Sequence, residues 1–351
     1  MIYLIAFLIA AVISASITPV VRRFAIDHDI VDKPDGVRKI HTAPVAYLGG
    51  VAIYIGFITS LAIWMHPSRQ LLALVAGCTI LVVVGVMDDI RPMSAWAKLG
   101  WQFVAAFVAL SGGIGIVTVT NPLGGMIDLG WGRFSATILG FQFHIMPVAN
   151  LISVLWMVGL ANTINFLDGL DGLAGGVSAI AALTLFLLSI GPRVGQPEVA
   201  LLAIILAGAT IGWLPYNLYP AKIFMGDSGS YFLGLTLAML SIYSGAKLAT
   251  AVLVLGFPII DALWVVSRRI ANGTSPFKAD KLHFHHLLVS AGLSQRHAVL
   301  ILYAISLTFG ATALLASTPA KIAAFVVLAS LMAVSIYYLL ELGKQGEAQA
   351  Q

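Results

Sequence analysis

"LLALVAGCTILVVVGVMDD" occupies residues 71–89, and it contains no charged side chain until Asp88 and Asp89 end it. A run of this length can cross the hydrocarbon core of a bilayer as an α-helix. Similar runs recur along the 351 residues, of which 60% are hydrophobic and only 10% are charged. The sequence therefore predicts an all-α polytopic membrane protein.

The apolar runs predict about eleven transmembrane helices in a single integral membrane domain, residues 1–351. Their centres fall near residues 10, 56, 78, 108, 154, 182, 206, 237, 257, 307 and 331. The segments between them are too short to form an independent soluble core. The segment near 119–146 mixes turn glycines with β-favouring residues, a pattern typical of a small β-hairpin.

The charges predict the orientation of these helices. Alternate loops hold 14 and 5 of the 19 Lys and Arg residues, and basic residues accumulate on the cytoplasmic side of a membrane. The N-terminus is therefore expected outside and the C-terminus inside. The predicted cytoplasmic loops are roughly 21–46, 88–98, 162–175, 214–229 and 268–297.

The acidic residues lie mostly on the same predicted side as the basic ones, since 13 of the 15 Asp and Glu lie at or near the cytoplasmic face. No orientation rule requires that bias, so the chemistry is expected on that face. The basic balance of the chain suits anionic lipid head groups and phosphate-bearing substrates. No nucleic-acid-binding module is evident.

The first polar motif is "GVMDDIRP", residues 85–92, at the end of the third predicted span. Adjacent carboxylates at a helix C-terminus repel each other and oppose the helix dipole. A cation must compensate Asp88 and Asp89, and the residues alone allow either a neighbouring Arg or Lys or a metal ion.

The second motif is "NTINFLDGLDGLAGG", residues 162–176. Its polar members recur at every third position, which places them along one side of a helical turn. They are Asn162, Asn165, Asp168 and Asp171. Ionisable groups near a bilayer are costly unless they are paired or functional, so this side predicts a polar lining for a ligand or cation. The later glycines, Gly175 and Gly176, favour close helix packing.

The third motif, "NLYPAKIFMGDSGSYFLG" at 217–234, places Asp227 just before the eighth predicted helix. Asp227 can serve as the N-cap of that helix. A helix N-terminus also favours phosphate, so an acid, glycines and hydroxyls here suit phosphate binding through a bridging metal.

The fourth motif, "SRRIANGTSPFKADKLHFHHLL" at 267–288, contains Arg268 and Arg269 and then His283, His285 and His286. The arginines can be topological anchors, and the histidines can form a zinc site, contact phosphate or transfer protons. Because the only cysteine lies in a predicted span, phosphate contact or proton transfer is favoured over zinc. A further loop, "VDKPDGVRKIHTAPVAYLGG" at 31–50, is either a solvated juxtamembrane loop or part of the site.

Taken together, these motifs resemble the polyprenyl-phosphate N-acetylhexosamine-1-phosphate transferase family, and within it the WecA/TagO type more than the MraY branch. The matching stretches appear in the family's order between about Asp32 and Gly292. They are "DKPDGVRKIH", "GVMDD", "NTINFLDGLDGLAGG", "LPYNLYPAKIFMGDSGS" and "FPIIDALWVVSRR" leading into "SPFKADKLHFHHLL". One departure is "HTAPVAYLGG", where Ala46 and Tyr47 replace a Pro and an Arg of the usual pattern.

The resemblance implies transfer of N-acetylhexosamine 1-phosphate from a UDP-sugar, with UDP-GlcNAc expected first, to undecaprenyl phosphate or another polyprenyl phosphate. UMP is released, and Mg²⁺ or Mn²⁺ is required. This reaction initiates a lipid-linked cell-envelope glycan at the cytoplasmic face of the bacterial inner membrane. The implied partners are the two substrates and the lipid bilayer, and a homodimer is compatible with them.

Motif matching also implies the site residues. The implied catalytic residues are Asp88, Asp89, Asp168, Asp171, His283, His285 and His286. The implied substrate-binding residues are Lys39, His41, Lys98, Asn162, Asn165, Arg268 and Arg269. The implied metal ligands are Asp227 and Asp171, and Lys98 is expected to offset the charge of Asp88 and Asp89.

Two other functions remain open at this level. A phospho-MurNAc-pentapeptide transferase would share most of these motifs, although the "SPFKADKLHFHHLL" segment argues against it by resemblance. A secondary transporter would also have many helices and few charges, but transporters place their binding residues near the bilayer midplane, often in inverted repeats. Here the acids gather at one face and no repeat is apparent.

Overall fold

The computed structural model describes residues 1–33, 44–121, 125–138, 141–192, 194–243, 248–275 and 282–349. It is mostly helical, with short strands. The α-helices of the described ranges, α1 to α13 in order, are Ile2–Asp27, Gly49–Trp64, Arg69–Ile90, Ala95–Ser111, Pro147–Leu167, Leu173–Ile190, Pro197–Trp213, Gly226–Tyr243, Leu248–Val254, Gly256–Ala271, Phe284–Ser290, Gln295–Leu315 and Thr318–Gln349. A 3₁₀ turn, Leu214–Tyr216, follows α7.

The helices have the length and composition of membrane spans. Within the described part of the chain, seven are long and apolar enough to cross a bilayer, and α2 is a shorter apolar helix. The seven are α1, α3, α5, α6, α7 extended to Tyr216, α12, and α13 as far as Glu341. The prediction of a helical polytopic membrane protein is therefore confirmed.

Helix α8 lies at the centre of the bundle and packs against α2, α3, α5 and α6. Every residue from Ser228 to Ser241 is buried. The N-terminus of α8 approaches two neighbours at glycines: a Cβ on Gly50 of α2 would overlap the backbone of Gly229, and one on Gly85 of α3 would overlap the backbone of Ser228. These glycines bring three helix ends together at one point.

The ninth predicted span is two helices. Helix α9 ends at Val254, Leu255 separates it from α10, and Pro258 lies in the first turn of α10. Proline has no N–H and cannot continue the hydrogen-bond ladder from the preceding turn. The expectation of one helix centred near residue 257 is therefore corrected to two helices that meet at Leu255.

In the described residues, six short strands form three antiparallel pairs. The strands β1 to β6 are Val31–Asp32, Val45–Ala46, Thr118–Thr120, Met126–Asp128, Phe134–Ile138 and Phe141–Ile145. β3 pairs with β4 and β5 with β6, so the predicted hairpin near 119–146 is present as two strand pairs. β1 pairs with β2, and Ala46 also bridges in parallel to Ile223.

Several of the segments predicted as cytoplasmic loops are partly helical in the described residues. Asp88 and Asp89 lie in the last turn of α3, and Lys98 lies in the first turn of α4. Helix α5 continues to Leu167, and α8 begins at Gly226, so Asp227 is inside its first turn. The polar motifs are therefore attached to rigid helix ends.

Candidate active site

The carboxylate cluster consists of Asp88, Asp89, Asp168 and Asp227, with Lys98 and Asn165 as its partners. Asp89 closes the N-terminus of α8: its carboxylate accepts hydrogen bonds from the backbone N–H of Asp227 at 2.8 Å and of Ser228 at 3.3 Å. The first N–H groups of a helix have no partner within the helix, so this carboxylate serves as a cap supplied by α3. Gly226, at φ +72°, leaves the space that Asp89 occupies. The expected N-cap role of Asp227 thus belongs to Asp89.

Lys98 lies between two carboxylates. Its ammonium donates to Oδ2 of Asp88 at 3.1 Å and to Oδ2 of Asp227 at 2.9 Å, and the three side chains are only 14 to 22% exposed. The other oxygen of Asp88 accepts the backbone N–H of Met93 at 2.6 Å. Lys98 therefore offsets the charge of Asp88, as expected, and also that of Asp227, whereas Asp89 is held by backbone N–H groups of α8.

Asp227 is the centre of the cluster. Its Oδ1 accepts from the side-chain amide of Asn165 at 2.8 Å, and that amide also donates to Ser230 at 2.9 Å. The hydroxyl of Tyr231 is also hydrogen-bonded to Asp227. Tyr231 was not among the predicted site residues, although it lies four positions after Asp227, a spacing that brings side chains together on a helix.

Asn162 lies one turn before Asn165 but makes different contacts. Its amide exchanges two hydrogen bonds with Gln102 of α4, at 2.6 and 3.2 Å, and also donates to the backbone oxygen of Val158 at 2.8 Å. These bonds fasten α4 to α5. Asn162 and Asn165 are therefore evenly spaced in the sequence but lie in different environments.

The turn after α5 carries Asp168 and Asp171 and is attached to the segment before α8. Asp171 accepts the backbone N–H of Ala221 at 2.9 Å, and Asn217 accepts that of Gly172, also at 2.9 Å. Gly172, at φ +82°, allows the turn into α6. Burial, and then the carboxylates of Asp227, Asp89 and Asp171, raise the pKa of Asp168 to about 8.

The histidine segment, His283 to His286, packs against that turn. His285 is fully buried, and a Cβ on Gly169 would overlap its Nε2. The rings of His285 and His286 are 4.2 Å apart between centroids. Burial and the two neighbouring imidazoles lower the pKa of His285 well below its ordinary value.

Asp261 holds the start of this segment, and it was not among the predicted site residues. Its Oδ2 is 2.8 Å from Nδ1 of His283, and its Oδ1 accepts the backbone N–H of Phe284 at 2.7 Å. The guanidinium of Arg269 lies 5.8 Å from the centre of the Phe166 ring. Arg269 is buried and Arg268 is half-buried, so neither is merely an exposed anchor.

The departure from the family pattern at Tyr47 lies beside the site. Tyr47 is hydrogen-bonded to Asp32, and its ring is 6.0 Å from that of Phe224. Burial, and then the negative charge of Asp32, raise the pKa of Tyr47 above its ordinary value. Lys39 and His41, both predicted to bind substrate, lie outside the described residues.

The cluster suits a hard divalent cation. Within the described ranges no three His, Cys, Asp or Glu side chains form a ready set of metal ligands. The carboxylates of Asp88 and Asp227, however, converge on one ammonium group. Mg²⁺ is commonly bound by one or two carboxylates together with substrate phosphates, so the oxygen donors at this point fit it.

Comparison with known proteins gives a consistent result. The family described as glycosyl transferase family 4 matches residues 71–245, from α3 to the end of α8. A probable undecaprenyl-phosphate N-acetylglucosaminyl 1-phosphate transferase of Bacillus subtilis is 34% identical, over 88% of this chain and 84% of its own length. A decaprenyl-phosphate N-acetylglucosaminephosphotransferase of Mycolicibacterium smegmatis is 31% identical, over 98% and 89%. An undecaprenyl-phosphate alpha-N-acetylglucosaminyl 1-phosphate transferase of Thermotoga maritima is 32% identical, over 85% and 86%.

Proposed function

Because the chain belongs to glycosyl transferase family 4, we propose that it transfers N-acetylglucosamine 1-phosphate from UDP-GlcNAc to undecaprenyl or another polyprenyl phosphate, releasing UMP. The observation that carries this proposal is the position of Lys98 between Asp88 and Asp227 at the ends of apolar helices. Two anionic reactants repel each other, and such a site offers them fixed positive charge and a place for a cation. The names of the similar proteins favour this donor over a pentapeptide-bearing one. Family membership argues against a transporter.

The cation we propose is Mg²⁺ or Mn²⁺, held by Asp227, with Asp88 and Asp171 as further carboxylate ligands. When bound, it would neutralise the charge that develops on the donor pyrophosphate. Asn165 and Tyr231 orient the Asp227 carboxylate by hydrogen bonds. Asp89 keeps Asp227 in place by capping α8.

The remaining charged residues are assigned to the two substrates. Asp88 and Lys98 position the lipid phosphate, since Lys98 is the cation held between the two acids. Asp168 and the histidine segment contact the donor side, and Arg268 and Arg269 steady the pyrophosphate. We propose direct attack of the lipid phosphate oxygen on the β-phosphorus of the donor, which breaks its bond to the oxygen of UMP.

Direct attack makes a prediction for isotope exchange. In rigorously lipid-free enzyme, labelled UMP should not exchange into UDP-GlcNAc, because no covalent intermediate forms. Exchange that vanishes in one Asp variant would identify that residue as a nucleophile and would contradict direct attack.

We further propose eleven membrane spans, with the N-terminus outside, the C-terminus in the cytoplasm and the site at the cytoplasmic face of the inner membrane. The 14 to 5 division of basic residues supports this orientation. In a Cys78→Ala background, a cysteine at Ser94 should be labelled only from the cytoplasm and one at Ser68 only from outside. Reversed labelling would place the site on the wrong face.

The direct test of the proposed function is release of UMP by the purified protein in liposomes. UDP-GlcNAc with undecaprenyl phosphate should release UMP and yield lipid-linked GlcNAc pyrophosphate. Turnover with UDP-MurNAc-pentapeptide in place of UDP-GlcNAc would overturn the assignment. Omission of the lipid phosphate is the matched control and should abolish release.

A further inference from the structure

A buried acid–histidine pair connects α10 to the histidine segment. Oδ2 of Asp261 is 2.8 Å from Nδ1 of His283, and the two side chains are only 3% and 6% exposed. A carboxylate can only accept a hydrogen bond, so the Nδ1 atom of His283 carries the hydrogen and Nε2 faces away from the acid. An acid at this place thus selects one orientation of the imidazole.

The same carboxylate also fixes where the next helix begins. Its second oxygen accepts the backbone N–H of Phe284 at 2.7 Å, and Phe284 is the first residue of α11. A helix of seven residues is too short to be stable by itself. Asp261 therefore holds both the His283 ring and the first turn of α11.

Ring contacts connect His283 to the turn that carries Asp168 and Asp171. Its ring is stacked with His285 at 5.5 Å and 17°, and His285 contacts His286. His285 in turn lies against Gly169, next to Asp168. His283 also contacts Phe166, over whose ring Arg269 lies. A shift of His283 would therefore disturb both the His285 ring and the Phe166 ring.

We propose that Asp261 is a positioning residue for the reaction. It touches no reacting group, and it acts by fixing the tautomer of His283 and the placement of His285 and His286 beside Asp168. The proposal rests on the proposed function, because the donor pyrophosphate is what these histidines would face. His283 is anchored by the acid, and the His285 ring is stacked against it.

The first test is Asp261→Asn, which keeps the shape of the side chain. Its amide has a single acceptor oxygen, so it can accept from Nδ1 of His283 or from the backbone N–H of Phe284, but not from both. We expect kcat to fall on the order of 10- to 100-fold, the usual effect of removing a partner that orients a functional histidine. The KM for the lipid phosphate should stay within about twofold, since the acceptor is assigned to Asp88 and Lys98. Asp261→Glu should recover part of the loss.

Double substitution separates positioning from simple destabilisation. Asp261→Asn combined with His283→Gln should lose less activity than the product of the two single losses, because the two residues share one hydrogen bond. Losses that multiply would overturn the proposal, and so would wild-type kcat in Asp261→Asn. A matched control is Asp128→Asn. Asp128 lies on β4, is exposed and pairs with Arg133, so this change should leave kcat unchanged.

A spectroscopic readout separates failure of this proposal from failure of the proposed function. In protein labelled with ¹⁵N-histidine, the resonances missing from His283→Gln identify His283. Protonated Nδ1 in wild-type protein, and a changed Nδ1 resonance in Asp261→Asn, support the pairing, whatever the substrate. An unchanged His283 spectrum in Asp261→Asn would overturn the pairing. Absence of UMP release by wild-type protein would overturn only the proposed function.

Discussion

The carboxylate cluster and the histidine segment meet at the Asp168 turn, but they are built in different ways. In the cluster, Lys98, Asn165 and backbone N–H groups hold Asp88, Asp89 and Asp227 in place. In the histidine segment, Asp261 anchors His283, whereas both ring nitrogens of the buried His285 lack a partner among the described residues.

This difference indicates a division of labour. Preorganised charge is the main source of transition-state stabilisation in phosphoryl transfer. The cluster supplies it through Lys98, Asn165 and backbone N–H groups, whose positions are fixed before substrate binds. A buried imidazole without a hydrogen bond is costly, and a ligand that supplies one would relieve that cost. The cluster is therefore expected to bind the cation, and the histidine segment to respond to the phosphates.

The largest expected effect is that of Asp227→Asn, which tests whether the cluster carries the catalytic charge. The amide keeps the shape but removes the charge shared by Lys98, Asn165 and Tyr231. We expect kcat for UMP release to fall by at least ~10³, about 4 kcal/mol of lost transition-state stabilisation. Added Mg²⁺ should restore it only partly. A fall of less than tenfold would place the essential charge elsewhere.

A smaller effect is expected from Asp89→Asn, because Asp89 acts through the helix it caps. One amide oxygen can replace only one of the two bonds to α8, and loss of a cap costs about 1 kcal/mol. Thermal unfolding should shift downward, and UDP-GlcNAc affinity should stay nearly unchanged. Asp88→Asn is the comparison: it should impair use of the lipid phosphate without the same loss of stability. Equal unfolding temperatures for the two variants would contradict the capping role.

The smallest effect concerns pH and the turn where the two regions meet. Since the pKa of Asp168 is raised to about 8, the folded protein holds a proton there that the unfolded chain releases near pH 4. Its contribution to stability is therefore lost as pH rises from about 4 to 8. In buffer without divalent cations, Asp168→Asn should unfold at a higher temperature than wild type at pH 8, with a smaller difference at pH 5. A difference independent of pH would show that Asp168 is ionised throughout.

Much of the fold and many members of the site follow from local sequence. Long apolar runs predict the spans, and Asp88 beside Asp89 predicts a compensating cation, which the structure identifies as Lys98. The turn glycines near 119–146 predict a hairpin, and two strand pairs are present. These features depend on residues close together in the chain.

What could not be predicted depends on contacts between distant parts of the chain. Asp261 is 22 positions from His283, and Asn162 takes its partner Gln102 from another helix. The even spacing of Asn162 and Asn165 could not show that only Asn165 reaches Asp227. The capping of α8 by Asp89 joins residues 138 positions apart and needs the glycine contacts that bring α3 to α8.

The most direct test of the account is Mn²⁺ binding measured by electron paramagnetic resonance in protein without substrate. The central claim is that Asp227 holds a divalent cation, with Asp88 beside it and Lys98 competing for both carboxylates. Wild-type protein should bind Mn²⁺, Asp227→Asn should bind it at least tenfold more weakly, and Lys98→Gln should bind it more tightly because a competing positive charge is gone. Asp128→Asn, the exposed control, should match wild type. Wild-type affinity in Asp227→Asn, or weaker binding in Lys98→Gln, would contradict the claim.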